Sequence, residues 1–337
     1  MTQWLTLTPE QRKASITEVE YVTGIQAKAI EKDWWVTLTL RALFQSAYAK
    51  HLVFKGGTSL SKCWKLIARF SEDVDIALAP EAFGMKYEKS PSKTYVEKLK
   101  RAGCAFTSNK LKTELEVQLK ALGLPHGMIT VVAEPVPENR PDTDPQTLHV
   151  KYPSLYDPNP YIAEEVKIEV SVRSLQTPYS QAPVLSILTQ ENPSDAYLEE
   201  SMIVDVVEPR KTFLEKIFLL HEEFGKPDTT KIRSERMSRH LYDLSSMIGT
   251  DSEAQALADY DLYTMLITHR EAYHRISWLN YDTLNRKTIA FIPPEGVMAL
   301  YRKDYETMQE QMIYGESIPF DNLILRLQAL QDKIRNW

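Results

Sequence analysis

Alternation of apolar and polar residues predicts β-strands in the first 205 residues of the chain. The clearest case is EEVKIEVSVR (164–173), in which every second residue from Val166 onward is Val or Ile. In EDVDIAL (72–78), Asp73 and Asp75 point to one face of the strand and the larger apolar residues to the other. Shorter apolar runs predict three more strands, at HLVF, GMITVVAE and TLHVKY.

Helical periodicity predicts the other elements of this part of the chain. The stretch Thr8-Pro9-Glu10-Gln11 is a typical helix start and opens a helical region over 8–48. A helix of about three turns is predicted at TSLSKCWKLIARF (58–70), where Leu60, Trp64 and Ile67 share one face. A charged helical region is predicted over 94–122.

After residue 207 the strand patterns end, and every further predicted element is a helix. EPRKTFLEKIFLLHEEFG ends at Gly225, and SERMSRHLYDLSSMIG ends at Gly249. Further amphipathic patterns cover 252–275, 294–314 and 320–336. The pattern therefore predicts an α+β fold in two domains, a mixed α/β domain over residues 1–205 and an all-helical domain over 206–337.

Composition and charge fit a globular protein and argue against several classes. The chain is 43% hydrophobic and 26% charged, and no apolar run is long enough to span a membrane. The N-terminus lacks the pattern of a signal peptide, and Cys63 and Cys104 are far apart, so we expect reduced thiols and a cytoplasmic location. The net charge of −6 argues against nonspecific coating of nucleic acid.

A local basic segment lies within this acidic chain. Residues 86–120 contain nine Lys or Arg residues against four Glu residues. Such a segment suits contact with RNA, and it is also typical of helices with a solvated charged face. Both interpretations stay open at this point.

A glycine pair lies between the predicted strand HLVF and the helix that follows it. Glycine lets a phosphate approach the backbone, and the first N–H groups of a helix attract an anion together with the hydroxyls of Thr58 and Ser59. The GxxxxGK[ST] pattern of a Walker loop is absent from the sequence. Gly56 and Gly57 therefore indicate either a phosphate-binding turn or an ordinary tight turn.

Asp73 and Asp75 converge because residues i and i+2 of a strand face the same way. Two carboxylates this close repel each other unless a cation lies between them, and Mg²⁺ prefers carboxylate oxygens together with substrate phosphates. Glu169, on the polar face of the Val/Ile strand, is the candidate third carboxylate of a two-metal site. The alternatives are two solvated acids and a cross-strand ion pair of Glu169 with Lys or Arg.

The helix predicted over 233–248 carries a polar stripe opposite its apolar stripe. Its residues fall at positions i, i+3, i+4 and i+7, and they are Arg236, Arg239, His240 and Asp243. Two arginines, a histidine and an aspartate on one face suit a triphosphate or an RNA end. The alternative is a surface ion pair between Arg239 and Asp243.

These motifs, taken in order, resemble those of the DNA polymerase β-like nucleotidyltransferase superfamily: a Gly-Gly-Thr-Ser turn, a helix, Asp-x-Asp and a later strand acid. FKGGTSLSK…RFSEDVDIAL, TFLEKIFLLHEE and SRHLYDL together look more closely like the AbiEii/AbiGii toxin nucleotidyltransferases. Those proteins are toxins of type IV toxin–antitoxin and phage-defence (abortive infection) systems. The resemblance covers about 31–248, and beyond it the chain is similar only in being helical.

The resemblance implies a polymerase β-like core followed by a helical domain, with the active site in the cleft between them. Asp73 and Asp75 would bind Mg²⁺, with Mn²⁺ as the alternative ion. Lys216 would neutralise phosphate charge, and Asp243 would either position Lys216 or accept the proton of the incoming hydroxyl. The nucleotide-binding residues would be Gly56, Gly57, Thr58, Ser59, Arg236, Arg239 and His240.

The implied reaction is Mg²⁺-dependent transfer of NMP from an NTP to an RNA acceptor. A tRNA 3′ end is the expected acceptor, and its modification would halt translation in the bacterial cytoplasm. A cognate antitoxin would be the protein partner, and no membrane partner is expected. Two alternatives stay open: a nucleotidyltransferase of the same fold that modifies a protein or a small molecule, and an NTP-binding regulatory module without turnover.

Overall fold

The computed structural model describes residues 2–158 and 162–336 and divides into two compact units. The first unit comprises Met1–Trp64 and Phe70–Val207, and the second comprises Lys65–Arg69 and Glu208–Trp337. The main division therefore falls two residues after the predicted domain boundary at residue 205. The short segment Lys65–Arg69 belongs to the second unit although its neighbours in sequence belong to the first.

The described part of the first unit is built on one seven-stranded mixed sheet. In chain order its strands are β1 (Leu52–Lys55), β2 (Val74–Leu78), β3 (Thr130–Ala133), β4 (Gln146–Lys151), β5 (Glu165–Ser171), β6 (Tyr179–Val184) and β7 (Met202–Val207). Their spatial order is β3-β4-β5-β2-β1-β7-β6, and β2 with β5 and β1 with β7 are the parallel pairs. The mixed sheet confirms the α+β class, whereas the more specific polymerase β-like core stays a prediction.

The five predicted strands, β1 to β5, are confirmed, but β6 and β7 were missed by the sequence patterns. Strand β6 lies at the edge of the sheet, contains Pro183 and pairs only with β7 among the described strands. Proline cannot donate a ladder hydrogen bond and is therefore tolerated at an edge, where it weakens the strand signal in the sequence. Strand β7 is nearly all apolar, and periodicity cannot distinguish such a short run from a buried helical segment.

The helices of the first unit pack around this sheet. They are α1 (Pro9–Thr23), α2 (Ala27–Phe44), α3 (Gly56–Lys62), α4 (Lys93–Phe106), α5 (Lys112–Ala121) and α6 (Ile187–Glu191). The predicted helix start is confirmed, because the Thr8 hydroxyl accepts from the Gln11 N–H while the Gln11 side chain accepts from the Thr8 N–H. The predicted helical region over 8–48 is two helices, because Gly24 ends α1 in the left-handed conformation at φ +71°.

Helix α3 is much shorter than the sequence predicts. It ends at Lys62, so the prediction that Trp64 and Ile67 share a helical face with Leu60 is wrong. Lys65 adopts a positive φ of 53°, which breaks the helical path. The residues that follow fold with the second unit, where Arg69 forms a β-bridge with Ile313.

Helix α2 carries charged residues that are buried and paired. Asp33 accepts hydrogen bonds from the Lys62 ammonium at 2.6 Å and from the Ile187 N–H at 2.7 Å. Lys32 pairs with Glu72 at 2.5 Å, and the side chains of both pairs are at least nine-tenths buried. These pairs attach α3, and the residue immediately before Asp73, to α2.

Apart from the bridge between Arg69 and Ile313, the regular elements that the structure describes in the second unit are helices. They are α7 (Pro209–Phe224), α8 (Ser238–Met247), α9 (Asp251–Ala258), α10 (Tyr260–Tyr273), α11 (Glu295–Gln311) and α12 (Phe320–Arg335), with short 3₁₀ turns between some of them. The helix predicted over 233–248 therefore starts five residues later than expected. Across 2–158 and 162–336, no helix combines the length and apolar composition needed to cross a bilayer.

Replacing Asp33 with Ala should destabilise the first unit strongly. The change leaves the Lys62 ammonium buried without its carboxylate and removes the acceptor of the Ile187 N–H. Loss of one partner of a buried ion pair lowers the free energy of unfolding by about 3–5 kcal/mol. Denaturant titration measures this loss. Lys93→Ala, which breaks an exposed pair with Glu97, is the control and should leave stability nearly unchanged. Equal stabilities of the two variants would contradict the prediction.

Candidate functional site

The carboxylate of Asp75 lies directly against the backbone of Gly56. Strands β1 and β2 are antiparallel neighbours, and Lys55, the residue before the glycine, is the register partner of Asp75. Gly56 has φ +80°, and a Cβ built at this position would lie 2.0 Å from Asp75 Oδ2. The positive φ and the close contact with Asp75 both require glycine at this position. The predicted phosphate-binding turn and the predicted metal carboxylate therefore lie side by side in the first unit.

The hydroxyls of Thr58 and Ser59 stabilise this turn from inside. Thr58 Oγ1 donates to the backbone carbonyl of Asp73 at 2.5 Å and lies 2.9 Å from Ser71 Oγ. Ser59 Oγ donates to the Gly56 carbonyl at 2.8 Å, and both side chains are fully buried. Thr58 thus fixes the start of the strand that carries the aspartates. The contact of Gly57, Thr58 and Ser59 with phosphate stays a prediction.

Glu169 lies beside Asp75 on the neighbouring strand. The parallel pairing of β2 and β5 makes the two acids register partners. The Glu169 carboxylate also accepts a hydrogen bond from Lys167 Nζ at 2.5 Å. An ion pair of Glu169 with a lysine, one of the sequence interpretations, is therefore present, but the lysine lies on the same strand rather than on a neighbouring one.

The ammonium of Lys167 lies in the field of all three predicted metal ligands. Burial by itself would lower the pKa of Lys167, but Glu169, Asp73 and Asp75 outweigh burial and raise that pKa. Lys167 is therefore firmly charged, and its charge is directed toward the acids. The sequence patterns did not single out this residue, because a lysine on the polar face of a strand is common.

The donor set of the first unit suits a hard divalent cation. Among the described residues, no group of three or more His, Cys, Asp or Glu side chains is arranged to hold a metal ion, so a three-carboxylate site is not preassembled. Mg²⁺ is commonly bound by only one or two carboxylates, with water and substrate phosphates completing its shell. Asp73 and Asp75 fit that mode, and Glu169 as the third ligand stays a prediction.

A second group of predicted residues meets in the helical unit around Asp243. This residue on α8 is fully buried, and its carboxylate accepts from Arg69 Nε at 2.7 Å and from Arg69 Nη2 at 2.8 Å. Lys216 Nζ on α7 lies 2.8 Å from the same carboxylate. A bidentate guanidinium and an ammonium therefore bind one buried carboxylate.

The charges around Asp243 determine its protonation and that of its neighbours. Burial would raise the pKa of Asp243, but Arg69 and Lys216 hold it well below its usual range. Burial lowers the pKa of Lys216 against the attraction of Asp243. Burial and the positive charges of Lys216 and Arg239 hold the pKa of His240 well below its usual value, so the imidazole is neutral at pH 7. The group therefore has an excess of positive charge.

The predicted polar stripe is only partly formed. Arg239, His240 and Asp243 lie on α8, and His240 Nδ1 is 3.4 Å from Lys216 Nζ. Arg236 precedes the helix and has a positive φ of 56°, so its predicted place in the helical stripe is wrong. The surface pair of Arg239 with Asp243 is also wrong as an alternative, because Asp243 is buried against Arg69 and Lys216.

A carboxylate on α11 explains why α8 starts late. Asp304 accepts hydrogen bonds from the Arg236 N–H at 2.6 Å and from the Ser238 N–H at 2.9 Å, and the Ser238 hydroxyl also donates to it. The carboxylate satisfies N–H groups at the helix start, as an N-cap side chain would. This cap comes from 66 residues away in sequence, so no local pattern could predict it.

The sequence patterns give no indication of Arg69 as a member of this group. It lies in the stretch ARFSED, which the apolar spacing places in a helix that in fact ends at Lys62. An arginine in a predicted helix gives no signal of a buried partner 174 residues later. Its role becomes visible only because Lys65–Arg69 folds with the second unit.

The chain matches a model of a known protein family. The model of the family described as nucleotidyl transferase AbiEii toxin, type IV TA system, matches residues 39–328, well over half of the chain. The match includes both groups of residues described above. A search of the curated proteins found no match.

Replacing Gly56 with Ala should destabilise the first unit more than the same change at Gly84. Gly84 has nearly the same φ, +78°, but a Cβ built there would have no atom within 4 Å. Gly84→Ala therefore reports backbone strain alone, about 1–2 kcal/mol. Gly56→Ala adds the displacement of the Asp75 carboxylate, which costs about 1–3 kcal/mol more. Denaturant unfolding of both variants measures the difference, and equal losses would show that the Asp75 contact is not tight.

Replacing Asp243 with Asn should destabilise the second unit and change its acid response. Arg69 and Lys216 lose their counter-charge, which lowers the free energy of unfolding by about 3–5 kcal/mol. In the folded protein the pKa of Asp243 lies below its usual value of 3.8. The ionised carboxylate therefore stabilises the fold above pH 3.8, and this stabilisation is lost as the pH falls from 3.8 toward the folded pKa. The variant lacks that acid-dependent loss. Asp321→Asn, at an exposed pair with Arg302, is the control, and identical pH profiles of wild type and Asp243→Asn would refute the argument.

Proposed function

We propose a function from the premise that this chain belongs to the AbiEii family of nucleotidyltransferase toxins of type IV toxin–antitoxin systems. The family makes the chain a nucleotidyltransferase, with a nucleotide as substrate and a cognate antitoxin as its expected partner. The reaction that we propose is transfer of NMP from an NTP to a hydroxyl of an RNA acceptor, with release of pyrophosphate. A tRNA 3′ end is the acceptor that we favour, because its modification would stop translation.

The arrangement around Gly56 is the observation that carries this proposal. A glycine that admits the Asp75 carboxylate against its backbone joins a turn suited to phosphate with a pair of carboxylates suited to Mg²⁺ or Mn²⁺. When bound, the metal ion would offset phosphate charge and align the α-phosphate for in-line attack. Asp73 and Asp75 would hold that ion, with Glu169 as its third ligand. The Thr58 hydroxyl would keep the Asp73 backbone in place.

The group around Asp243 supports a role in binding phosphate. Lys216 and Arg239 supply positive charge beside a neutral His240, and such charges stabilise the phosphates of a nucleotide. Both oxygens of Asp243 are engaged by Arg69 and Lys216, and its low pKa makes it a poor proton acceptor. Of the two roles implied by resemblance, we therefore favour positioning of Lys216.

The basic segment favours RNA over a small acceptor. Seven of its nine basic residues are exposed, and most lie on or beside α4 and α5. The other two, Lys100 and Lys112, pair with Asp142 and Glu116. Exposed lysines and arginines along two helices suit a phosphate backbone, whose binding would weaken steeply with salt. A protein or small-molecule acceptor has no comparable need for this surface.

Incubation with total bacterial RNA and each α-labelled NTP in turn tests the proposal. We expect a labelled band of tRNA size with wild type, and labelling lower by at least ~100-fold in Asp75→Asn and in Lys216→Met. Asp321→Asn, which changes an exposed surface carboxylate, should label as wild type does. Labelling should also fall steeply between about 50 and 200 mM salt.

The other outcomes identify the alternatives. Equal labelling by Asp75→Asn would remove this residue from the site. Pyrophosphate release without labelled RNA, and insensitive to salt, would indicate a protein or small-molecule acceptor. No pyrophosphate release with any acceptor would indicate an NTP-binding module without turnover.

A further inference from the structure

Lys167 occupies a particular position on the polar face of β5. Residues i and i+2 of a strand face the same way, so Lys167 and Glu169 share one face while Ile168 is fully buried on the other. Ile168 is the register partner of Val74 in the parallel strand β2. The same register makes Glu169 the partner of Asp75. Continued by one residue toward the start of both strands, it brings Lys167 alongside Asp73.

The lysine therefore interacts with the same acids that are predicted to hold the metal. Its ammonium bonds to Glu169 and is attracted by Asp73 and Asp75. A divalent cation bound to those aspartates would face this ammonium at short range, and like charges at a few ångströms repel strongly. The side chain of Lys167 is 38% exposed, so it has space to turn toward solvent without disturbing the core.

We infer that Lys167 is a built-in counter-cation that competes with the divalent ion for Asp73, Asp75 and Glu169. In the nucleotide-free protein the lysine neutralises part of the acidic group and thereby reduces repulsion among the carboxylates. Binding of the ion must displace its ammonium from Glu169, so metal affinity is lower than the carboxylates alone would give. This inference rests on the metal site of the proposed function, and it assigns Lys167 a positioning role rather than direct contact with the reacting atoms.

Titration of nucleotide-free, full-length protein with Mn²⁺, followed by calorimetry or by electron paramagnetic resonance, tests the inference. Lys167→Met removes the competing charge and should tighten Mn²⁺ binding by about tenfold or more. Lys167→Arg keeps the charge and should bind Mn²⁺ within about threefold of wild type. Lys151→Met removes a solvent-exposed charge from neighbouring strand β4, two residues from the register partner of Lys167, and should have little effect.

The remaining outcomes overturn the inference and separate two kinds of failure. Unchanged or weaker Mn²⁺ binding by Lys167→Met would show that the lysine does not compete. Equal tightening in Lys167→Arg or in Lys151→Met would show that local charge at Lys167 is not the cause. Asp75→Asn should abolish the Mn²⁺ signal of wild type. If it does not, the metal assignment of the proposed function is wrong and the inference fails with it, whereas loss in Asp75→Asn without tightening in Lys167→Met refutes the inference alone.

Discussion

The buried carboxylate of Asp243 is held by Arg69 and by Lys216, and much of the local structure follows from this contact. A buried charge without partners is strongly unfavourable, so both cations have to reach it. Lys216 does so from α7. Arg69 does so only because the chain leaves α3 after seven residues and runs as a short segment of the second unit. The early end of α3 and the β-bridge between Arg69 and Ile313 are thus consistent with one ion-pairing requirement.

The first unit also contains buried ion pairs, one on each side of the segment Lys65–Arg69. Lys62, the last residue of α3, is buried against Asp33, and Glu72, the residue before Asp73, is buried against Lys32. Both partners are consecutive residues of α2. A single helix therefore anchors the chain immediately before it leaves the first unit and soon after it returns. The glycine turn and the aspartate strand are held by these pairs and by Thr58, independently of any ligand.

Local patterns predicted what depends on neighbouring residues. Alternation identified β2 and β5, and short apolar runs identified β1, β3 and β4. The Thr8 motif identified the start of α1, because side-chain direction and capping act within a few residues. The patterns did not predict helix ends that depend on residues distant in sequence. The end of α3 depends on the path to Asp243, and the start of α8 depends on Asp304. Strand β6, with its edge proline, was missed because it lacks the periodicity of a half-buried strand.

The candidate site residues show the same division. The positions of Asp73, Asp75 and Glu169 on one face followed from the period of two residues, and their closeness followed from the sheet register. Neither signal could show that Lys167 would pair with Glu169, because a strand period specifies a face and not a partner. Arg69 was hidden for a related reason, since its partner lies 174 residues away.

Asp243 and Asp75 carry the same side chain but lie in different surroundings. Asp243 is fully buried, its oxygens are bound by an arginine and a lysine, and its charge is already balanced. Asp75 is half-buried, rests against a glycine backbone and shares its surroundings with Asp73, Glu169 and the Lys167 ammonium. The first arrangement gives one carboxylate two buried cations, whereas in the second the charge of one ammonium interacts with three acids. The same residue type therefore has different partners in the two units, and the difference lies in the acids and cations that the fold brings together around it.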